Sequence, residues 1–199
     1  MTYALVLMDD HRDYLANHRA QILDALSHEP PDLVIEHIDT AQRGFTAQMR
    51  TLWDHLRSID THRVLLWEAD FLPAMPVPVG PMTYALVRDP DLAQVALVRQ
   101  PWWPNEHKAG GLLAALEQQG TTFTERRCVL EHTAGWTNNP CMFPRAIVDQ
   151  HDWPDSAWSE AQYGRQLAAA GKHFAYYGAR DDGPRVIHHG VRTEASHGY

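Results

Sequence analysis

The segment RVLLWEADFLP, residues 63–73, decides the fold, because an apolar run of strand length ends there on two acidic residues. Its apolar part predicts a buried strand that ends at Glu68 and Asp70. Before it, the apolar pattern predicts strands at 2–8 and 33–38 and amphipathic helices at 12–26 and 45–56. Alternating strands and helices are typical of a parallel sheet with crossover helices. We therefore expect an α/β fold with a central, mostly parallel sheet flanked by helices.

The chain after residue 73 is less regular. The proline-rich stretch Pro73–Pro81 predicts a loop, because proline removes a backbone donor and fixes φ. Gly110-Gly111 predicts a turn. The remaining predicted elements are helices at 82–87, 112–119 and 159–170, strands at 94–98, 174–177 and 186–188, and a strand pair within 121–132.

Length and composition favour one globular domain spanning residues 1–199, with 44% apolar residues and no internal repeat. The apolar runs are too short to cross a bilayer, and we expect no membrane partner. The N-terminal run predicts a first strand rather than a signal peptide. Cys128 and Cys141 give no disulfide framework, which favours a cytoplasmic location. The net charge of −8 argues against a dedicated DNA-binding protein, because neutralised phosphates supply most of that affinity.

Glu68 and Asp70 are candidate metal ligands. Residues two apart on an extended segment point to the same side, and ligands bind beyond the carboxyl ends of strands in open α/β sheets. Mg²⁺ and Mn²⁺ prefer such hard oxygen ligands and share them with substrate phosphates. The alternative is a solvated strand end. The other acid-x-acid pair, Asp89-Pro90-Asp91, follows a predicted helix and is interpreted as a turn.

Six blocks of the chain, in the same order, resemble the compact GT-A-fold glycosyltransferases of actinobacteria and their phages, which are related to the large inverting nucleotide-sugar family. The blocks are IDTAQRGFTAQMRTLWDHL (38–56), WEADFLP (67–73), LAQVALVRQPWWPNEHKAGGLL (92–113), TNNPCMFPRAI (137–147), WSEAQYGRQLAAAGKHFAYYG (158–178) and VIHHGVRTEASHGY (186–199). The resemblance implies a single GT-A-like, Rossmann-like domain. Residues 1–70 would form its nucleotide-sugar-binding half and residues 71–199 its acceptor-binding half.

The resemblance also implies roles for residues at the donor site. His188 would complete the coordination of Mn²⁺ or Mg²⁺ by the two acids; alternatively, it is a histidine satisfied within the closing strand. Asp39 would contact the nucleoside, or else cap the next helix. The donor-binding set is Asp39, Arg43, Gly44, Glu68, Ala69 and Asp70. Arg43 would reach phosphate or base, and its alternative is a solvated surface charge.

Glu160 resembles the general base of inverting members, which takes the proton of the attacking acceptor hydroxyl. The Ser159-Glu160-Ala161 pattern lacks the adjacent acidic pair of many relatives. Its alternative role is favourable charge at a helix N-terminus.

The acceptor side is expected around the Trp102-Trp103 pair, because aromatic faces stack on sugar rings or bases. Glu106 is a second candidate catalytic carboxylate that could accept hydroxyl protons. Gly110 and Gly111 would allow a substrate to approach the backbone, or simply form a turn. Asn139, with its neighbours Asn138 and Pro140, could line the acceptor side or form a plain turn.

The expected function is transfer of a sugar from a nucleoside-diphosphate sugar to an acceptor hydroxyl, with inversion. The acceptor could be a hydroxymethylated base in phage DNA or a saccharide. DNA would require a basic face built from Arg99, Lys108, Arg126, Arg127, Arg145 and Arg192. The alternatives are a catalytically silent nucleotide-sugar or glycan-binding module and a metal-dependent nucleotidyltransferase. No GxxxxGK[ST] phosphate loop is present in the sequence, which disfavours a nucleotidyltransferase or another metal-dependent phosphoryl enzyme.

Overall fold

The structure, a computed structural model, describes residues 2–10 and 13–190. Its strands are β1 Tyr3–Asp9, β2 Leu33–Ile38, β3 Arg63–Glu68, β4 Phe71–Pro73, β5 Leu92–Leu97, β6 Thr124–Arg126, β7 Val129–His132, β8 Cys141–Pro144, β9 His173–Tyr177 and β10 Val186–His188. Its helices are α1 Tyr14–Ala25, α2 Phe45–Arg57, α3 Val79–Arg88, α4 Pro104–Ala109, α5 Leu112–Gln118, α6 Ala146–Gln150 and α7 Ser159–Ala169.

The described residues form an eight-stranded central sheet with the strand order β2-β1-β3-β8-β5-β9-β7-β6. β1 pairs in parallel with β2 and β3, and β5 pairs in parallel with β9. β8 runs antiparallel to both β3 and β5, so β3 and β5 point the same way. β7 is also reversed, between β9 and β6. Since the other strands share one direction, the predicted α/β fold with a mostly parallel sheet is confirmed.

Both faces of the sheet are buried. On β1, Val6 faces one hydrophobic cluster and Leu5 faces the other, as the two-residue period of a strand requires. On the first face, α2, α6 and α7 pack around an aromatic group in which Trp53 and Trp153 have ring centroids 4.8 Å apart. On the second face, α1 and α3 cover the sheet. Because helices cover both faces of the sheet, a binding site has to lie at the ends of the strands and in the loops that follow them.

A separate two-stranded sheet pairs β10 with β4 in antiparallel register. Its register places His188 opposite Phe71. This pairing brings the C-terminal end of the described chain back beside the segment that follows β3. It thereby brings residue 188 to the acidic pair.

Several predicted elements needed correction. The proline-rich loop ends sooner than predicted, because α3 begins at Val79 and holds Pro81 in its first turn, where a missing N–H costs little. β4, β8, α4 and α6 were not predicted; each has six residues or fewer and is too short for a periodic signal. The predicted strand pair within 121–132 is confirmed as the β6–β7 hairpin, in which Arg127 adopts φ 56°.

Candidate active site

The carboxyl ends of β1, β2 and β3 lie side by side, and this side of the sheet, where those strands end, is called its carboxyl edge below. Met8 pairs with Glu68 and Asp9 pairs with Ile38, so the acidic residues that end these strands meet there. β8 begins at the same edge because it is antiparallel and Cys141 pairs with Leu66. Residues 138–140 therefore lie beside the end of β3. This edge is where open α/β sheets bind ligands.

Glu68 and Asp70 lie at this edge, both partly buried. Ala69 between them is buried and donates its N–H to Met8 O at 2.7 Å. Burial raises the pKa of Glu68 well above its ordinary value, and the nearby carboxylates of Asp70 and Glu160 raise it further. Three acidic groups in one low-dielectric environment repel one another, so a cation here would be stabilising.

Asp70 and His188 form a direct contact, with Nε2 of His188 2.9 Å from Oδ2 of Asp70. The imidazole stacks on Phe71 with centroids 4.3 Å apart and a 6° interplanar angle, and Trp102 lies on it at 4.2 Å. Gln100 holds the backbone of His188 by accepting its N–H at 2.8 Å and donating to its carbonyl at 2.9 Å. The histidine is therefore fixed in position on every side.

Two buried atoms of this pair are unsatisfied. Among the described residues, Asp70 Oδ1 and His188 Nδ1 have no hydrogen-bond partner. Buried polar atoms without partners are uncommon, and a bound metal ion or substrate is one explanation for them. Gly190 packs against the same pair: a Cβ there would collide with Asp70 Oδ2 and would lie 2.6 Å from His188 Nε2.

The ligand atoms of the three expected metal ligands, Glu68, Asp70 and His188, are not gathered around one point. Within residues 2–10 and 13–190, Glu68, Asp70 and His188 do not bring three ligand atoms within 4.8 Å of one another. Asp70 and His188 are in place, whereas Glu68 accepts a long 3.4 Å hydrogen bond from Asn138 Nδ2. Coordination by all three would require at least one of these side chains to move.

Glu160 lies in the first turn of α7 and faces the same edge. Its Oε1 accepts the backbone N–H of Asn138 at 2.8 Å. Burial raises its pKa to about 7, an effect that the Asn138 hydrogen bond partly offsets. A carboxylate with a pKa near neutrality suits proton abstraction better than an ordinary glutamate does.

Asp39 is buried after β2 and lies at the same edge, with its N–H donating to Asp9 O. Its Oδ2 accepts the N–H of Gly44 at 2.9 Å, just before α2 begins. Gly44 has φ 86°, which favours glycine. Arg43 is half-exposed, and its Nε lies 3.6 Å from Asp39 Oδ1. Asp39 thus stabilises the loop that leads into α2 and remains beside the acidic site. It is not the cap considered as its alternative role, because the N-cap residue of α2 is Gly44 and that cap has no side-chain hydrogen bond.

Glu106 is placed differently from expectation. It is 3% exposed and forms a two-point ion pair with Arg99, with distances of 2.6 and 2.7 Å. The backbone N–H groups of Trp102 and Trp103 also donate to it, at 2.6 and 3.0 Å. Burial raises its pKa, but the hydrogen bonds from Arg99 and the two tryptophans outweigh this and lower it. Since its oxygens are committed to these partners, this geometry gives Glu106 a structural role rather than the expected catalytic one.

The expected acceptor residues separate into two groups. Trp102 lies at the site, against His188. Trp103 instead precedes α4 and lines a small cavity of about 220 Å³ with Leu112 and Leu116. Gly110 and Gly111 both donate their N–H groups to Glu106 O, and they form the turn between α4 and α5 that the sequence left as an alternative.

Of the adjacent residues Asn138 and Asn139, it is Asn138 that reaches the site. Asn139 is buried and its N–H donates to Thr137 Oγ1, whereas Asn138 contacts both Glu68 and Glu160. Sequence reasoning missed Gln100 at this edge, and it did not predict that Asn138 contacts Glu68 and Glu160. Neither has a sequence signal; only the register of β8 between β3 and β5 places Asn138 here.

The basic residues considered for DNA binding do not gather on one face among the described residues. Arg99 is buried against Glu106. Arg145 follows β8 at the opposite edge of the sheet and pairs with Asp149. Arg126 pairs with Glu131 on the β6–β7 hairpin. Arg192 lies outside the described residues.

Comparisons with known proteins show similarity of structure only. No protein-family model matches the chain, and no curated protein sequence matches it. A mannosyltransferase, PcManGT from Pyrobaculum calidifontis, in complex with GDP-Man and Mn²⁺, superposes with a TM-score of 0.55 at 13% identity, covering 91% of this chain and 58% of that one. A CMP:2-keto-3-deoxy-manno-octonic acid synthetase complexed with CTP gives 0.53 at 11% identity, covering 90% of each chain. The protein A197 from STIV gives 0.52 at 10% identity, covering 89% and 82%.

These similarities establish a GT-A-like, Rossmann-like fold of the kind that binds nucleotide sugars or nucleotides in those proteins. They do not identify a family. Within the described residues, no helix combines the length and apolar character needed to cross a bilayer.

Proposed function

We propose that this protein is a metal-dependent glycosyltransferase that moves a sugar from a nucleoside-diphosphate sugar to an acceptor hydroxyl. The observation that carries the proposal is the convergence of Glu68, Asp70, Glu160 and His188 at the carboxyl edge of the sheet. Residues 1–70 would supply most of the donor site and residues 71–199 most of the acceptor site, in one domain.

The residues present fit a divalent cation. Asp70 offers a buried oxygen without a hydrogen-bond partner, and His188 is held beside it. Glu68 offers a carboxylate whose ionised form is destabilised by burial and by its acidic neighbours. Carboxylates with one imidazole suit Mn²⁺ and also accept Mg²⁺. When bound, such an ion supplies Lewis-acid stabilisation of the departing diphosphate.

The protein's own groups would carry the remaining steps. Glu160, with a pKa near 7, would take the proton from the acceptor hydroxyl as that oxygen attacks the anomeric carbon. This attack opposite the leaving group would invert the anomeric configuration. Asp39 and Arg43 would contact the nucleoside and phosphates from the loop after β2, with Gly44 and Ala69 allowing backbone approach.

The acceptor would lie against Trp102, whose face adjoins His188. A saccharide hydroxyl is the simplest acceptor. A hydroxymethylated base in DNA is the second, although the basic residues named above are paired or dispersed.

The direct test is incubation of the protein with a panel of nucleoside-diphosphate sugars and Mn²⁺, with and without acceptors, measuring the released nucleoside diphosphate. Turnover in the presence of Mn²⁺ that EDTA abolishes supports the proposal. Absence of turnover across saccharide and hydroxymethylated-DNA acceptors, with donor still bound, contradicts it and favours a silent binding module.

A nucleotidyltransferase is the second candidate, because the synthetase similarity covers 90% of both chains. That reaction joins a nucleotide to a sugar and releases pyrophosphate. Incubation with each nucleoside triphosphate and a sugar acid or sugar phosphate, followed by a pyrophosphate assay, separates the two. Release of pyrophosphate, with no nucleoside diphosphate from nucleotide sugars, would replace the first proposal with the second.

A further inference from the structure

A second group of metal-ligating side chains lies at the opposite edge of the sheet. Asp89, Glu131 and His173 each offer a ligand atom, and these atoms all lie within 4.8 Å of one another. Asp89 follows α3, Glu131 lies on β7 and His173 begins β9. Among the described residues, this is the group of three that meets that distance condition.

This group is distinct from the candidate active site. Leu92, at the start of β5, pairs with His173, whereas the active-site edge lies beyond Leu97 at the other end of that strand. At about 3.3 Å per residue, the length of β5 separates the two places by about 15–20 Å. One cation could not serve both.

The separation of the ligand atoms matches a small coordinated ion. Nε2 of His173 lies 3.2 Å from Oδ2 of Asp89. Two ligands at about 2.0–2.2 Å from one tetrahedral Zn²⁺ are about 3.4 Å apart, so the ion could replace the proton between these atoms with little movement. Glu131 also pairs with Arg126, whose Nε lies 2.8 Å from Glu131 Oε2, so the ion would share this carboxylate with Arg126.

The surroundings would hold the ligands while leaving an entry path. All three side chains are half-buried. Asp89 Oδ1 accepts the N–H of Asp91 at 3.0 Å, which orients the carboxylate. Asp89 and Glu131 also line a surface cavity of about 380 Å³, which gives an ion access from solvent. Oriented carboxylates and an open approach are what a metal site requires.

We propose that Asp89, Glu131 and His173 bind a Zn²⁺ ion that joins the end of α3 to β7 and β9. One imidazole with two carboxylates is a donor set that Zn²⁺ accepts, with water as the fourth ligand. The ion would connect elements that are far apart in sequence, at a place far from the acidic active-site edge. This inference does not depend on the proposed glycosyltransferase activity.

The test is Zn²⁺ binding by calorimetry to the whole chain carrying Asp70→Asn, which weakens the other candidate site. We expect one equivalent of Zn²⁺ to bind and to raise the unfolding temperature, since binding to the native state alone stabilises it. Adding His173→Gln or Glu131→Gln should weaken binding at least about tenfold and remove the thermal shift. Mn²⁺ and Mg²⁺, measured in parallel, should bind more weakly.

The matched control is Asp91→Asn, which changes a neighbouring carboxylate that pairs with Lys172 and lies outside the group. It should keep Zn²⁺ affinity within about twofold. Two ligand variants guard against misfolding, and the unfolding temperature of each without metal shows whether it is folded. Undiminished Zn²⁺ affinity in both folded ligand variants, or no stoichiometric binding to the parent, would overturn the proposal.

Discussion

The backbone N–H of Asn138 donates a 2.8 Å hydrogen bond to Oε1 of Glu160, while the side chain of the same asparagine reaches Glu68 at 3.4 Å. The loop before β8 thus bridges the proposed base on α7 and a proposed metal ligand at the end of β3. Any shift of this loop would move both carboxylates together. Substitutions at Asn138 and at Glu160 test what each residue contributes.

Asp70→Asn should abolish the metal-dependent reaction without unfolding the protein. The amide keeps the size of the side chain but loses the charge that would hold the cation. Because a bound ion supplies several kcal/mol of transition-state stabilisation, we expect turnover to fall about 100-fold or more. Diphosphate release measures the loss, and circular dichroism verifies the fold. Asp155→Asn, at an exposed ion pair with Arg50, is the control and should be unaffected.

Glu160→Gln should lower kcat by roughly 10²–10⁴-fold, the range for loss of a general base. The pKa of Glu160 is raised to about 7, and a base acts only when deprotonated. The parent rate should therefore rise with pH through about 7 and level off above it. The variant's residual rate should lack this rising limb. A pH–rate profile of kcat measures both, and an unchanged limb in the variant would assign the titration to another group.

Gly190→Ala should disturb the Asp70–His188 pair specifically. The new methyl group would collide with Asp70 Oδ2 and lie 2.6 Å from His188 Nε2, so the two side chains would have to separate. We expect half-maximal activity to require an Mn²⁺ concentration at least about tenfold higher, because disturbing the residues around a metal's ligands typically weakens metal binding by that much. Gly80→Ala is the matched control, because its methyl group would lie 2.5 Å from Glu29 Oε1, away from the site.

Glu106→Gln should destabilise the fold. The substitution removes the Glu106 charge that pairs with the buried Arg99 guanidinium, and breaking a buried pair from one side costs about 3–5 kcal/mol. Urea unfolding measures the change. Arg99→Met combined with Glu106→Gln should lose less, because the guanidinium is then gone and the amide oxygen of the glutamine can still accept the N–H groups of Trp102 and Trp103.

If Glu106 were catalytic, as the sequence suggested, the Gln variant would instead keep its unfolding midpoint and lose kcat. The unfolding midpoint and kcat of this variant therefore distinguish a structural from a catalytic role of the Glu106 carboxylate.

Asn138→Ala should affect stability and the site together. The backbone hydrogen bond to Glu160 remains, but the buried Trp136 Nε1 loses its 2.8 Å acceptor, Asn138 Oδ1. An unsatisfied buried donor costs about 1–3 kcal/mol. The urea midpoint should fall accordingly. An unchanged midpoint for Asn138→Ala would contradict the role assigned to this hydrogen bond.

Much of the first half of the fold was predictable. The clearest signals are the apolar run of β1, which is buried along its whole length, and the helical apolar face of α2, which packs into the core. The segment 63–73 then indicated a strand ending in two acids, and the structure places Glu68 and Asp70 at the expected edge. The short strand β8 was invisible, since four residues ending in a proline carry no period.

The sequence by itself determined the α/β architecture and the acidic strand end, because both follow from local patterns of apolar and charged residues. The tertiary structure alone decided which distant residues join that end. Pairing of β10 with β4 brings His188 to Asp70, and insertion of β8 between β3 and β5 brings Asn138 to Glu68. The ion pair with Arg99 likewise withdraws Glu106 from the site. Contacts between residues far apart in sequence depend on strand order and register, which no local pattern encodes.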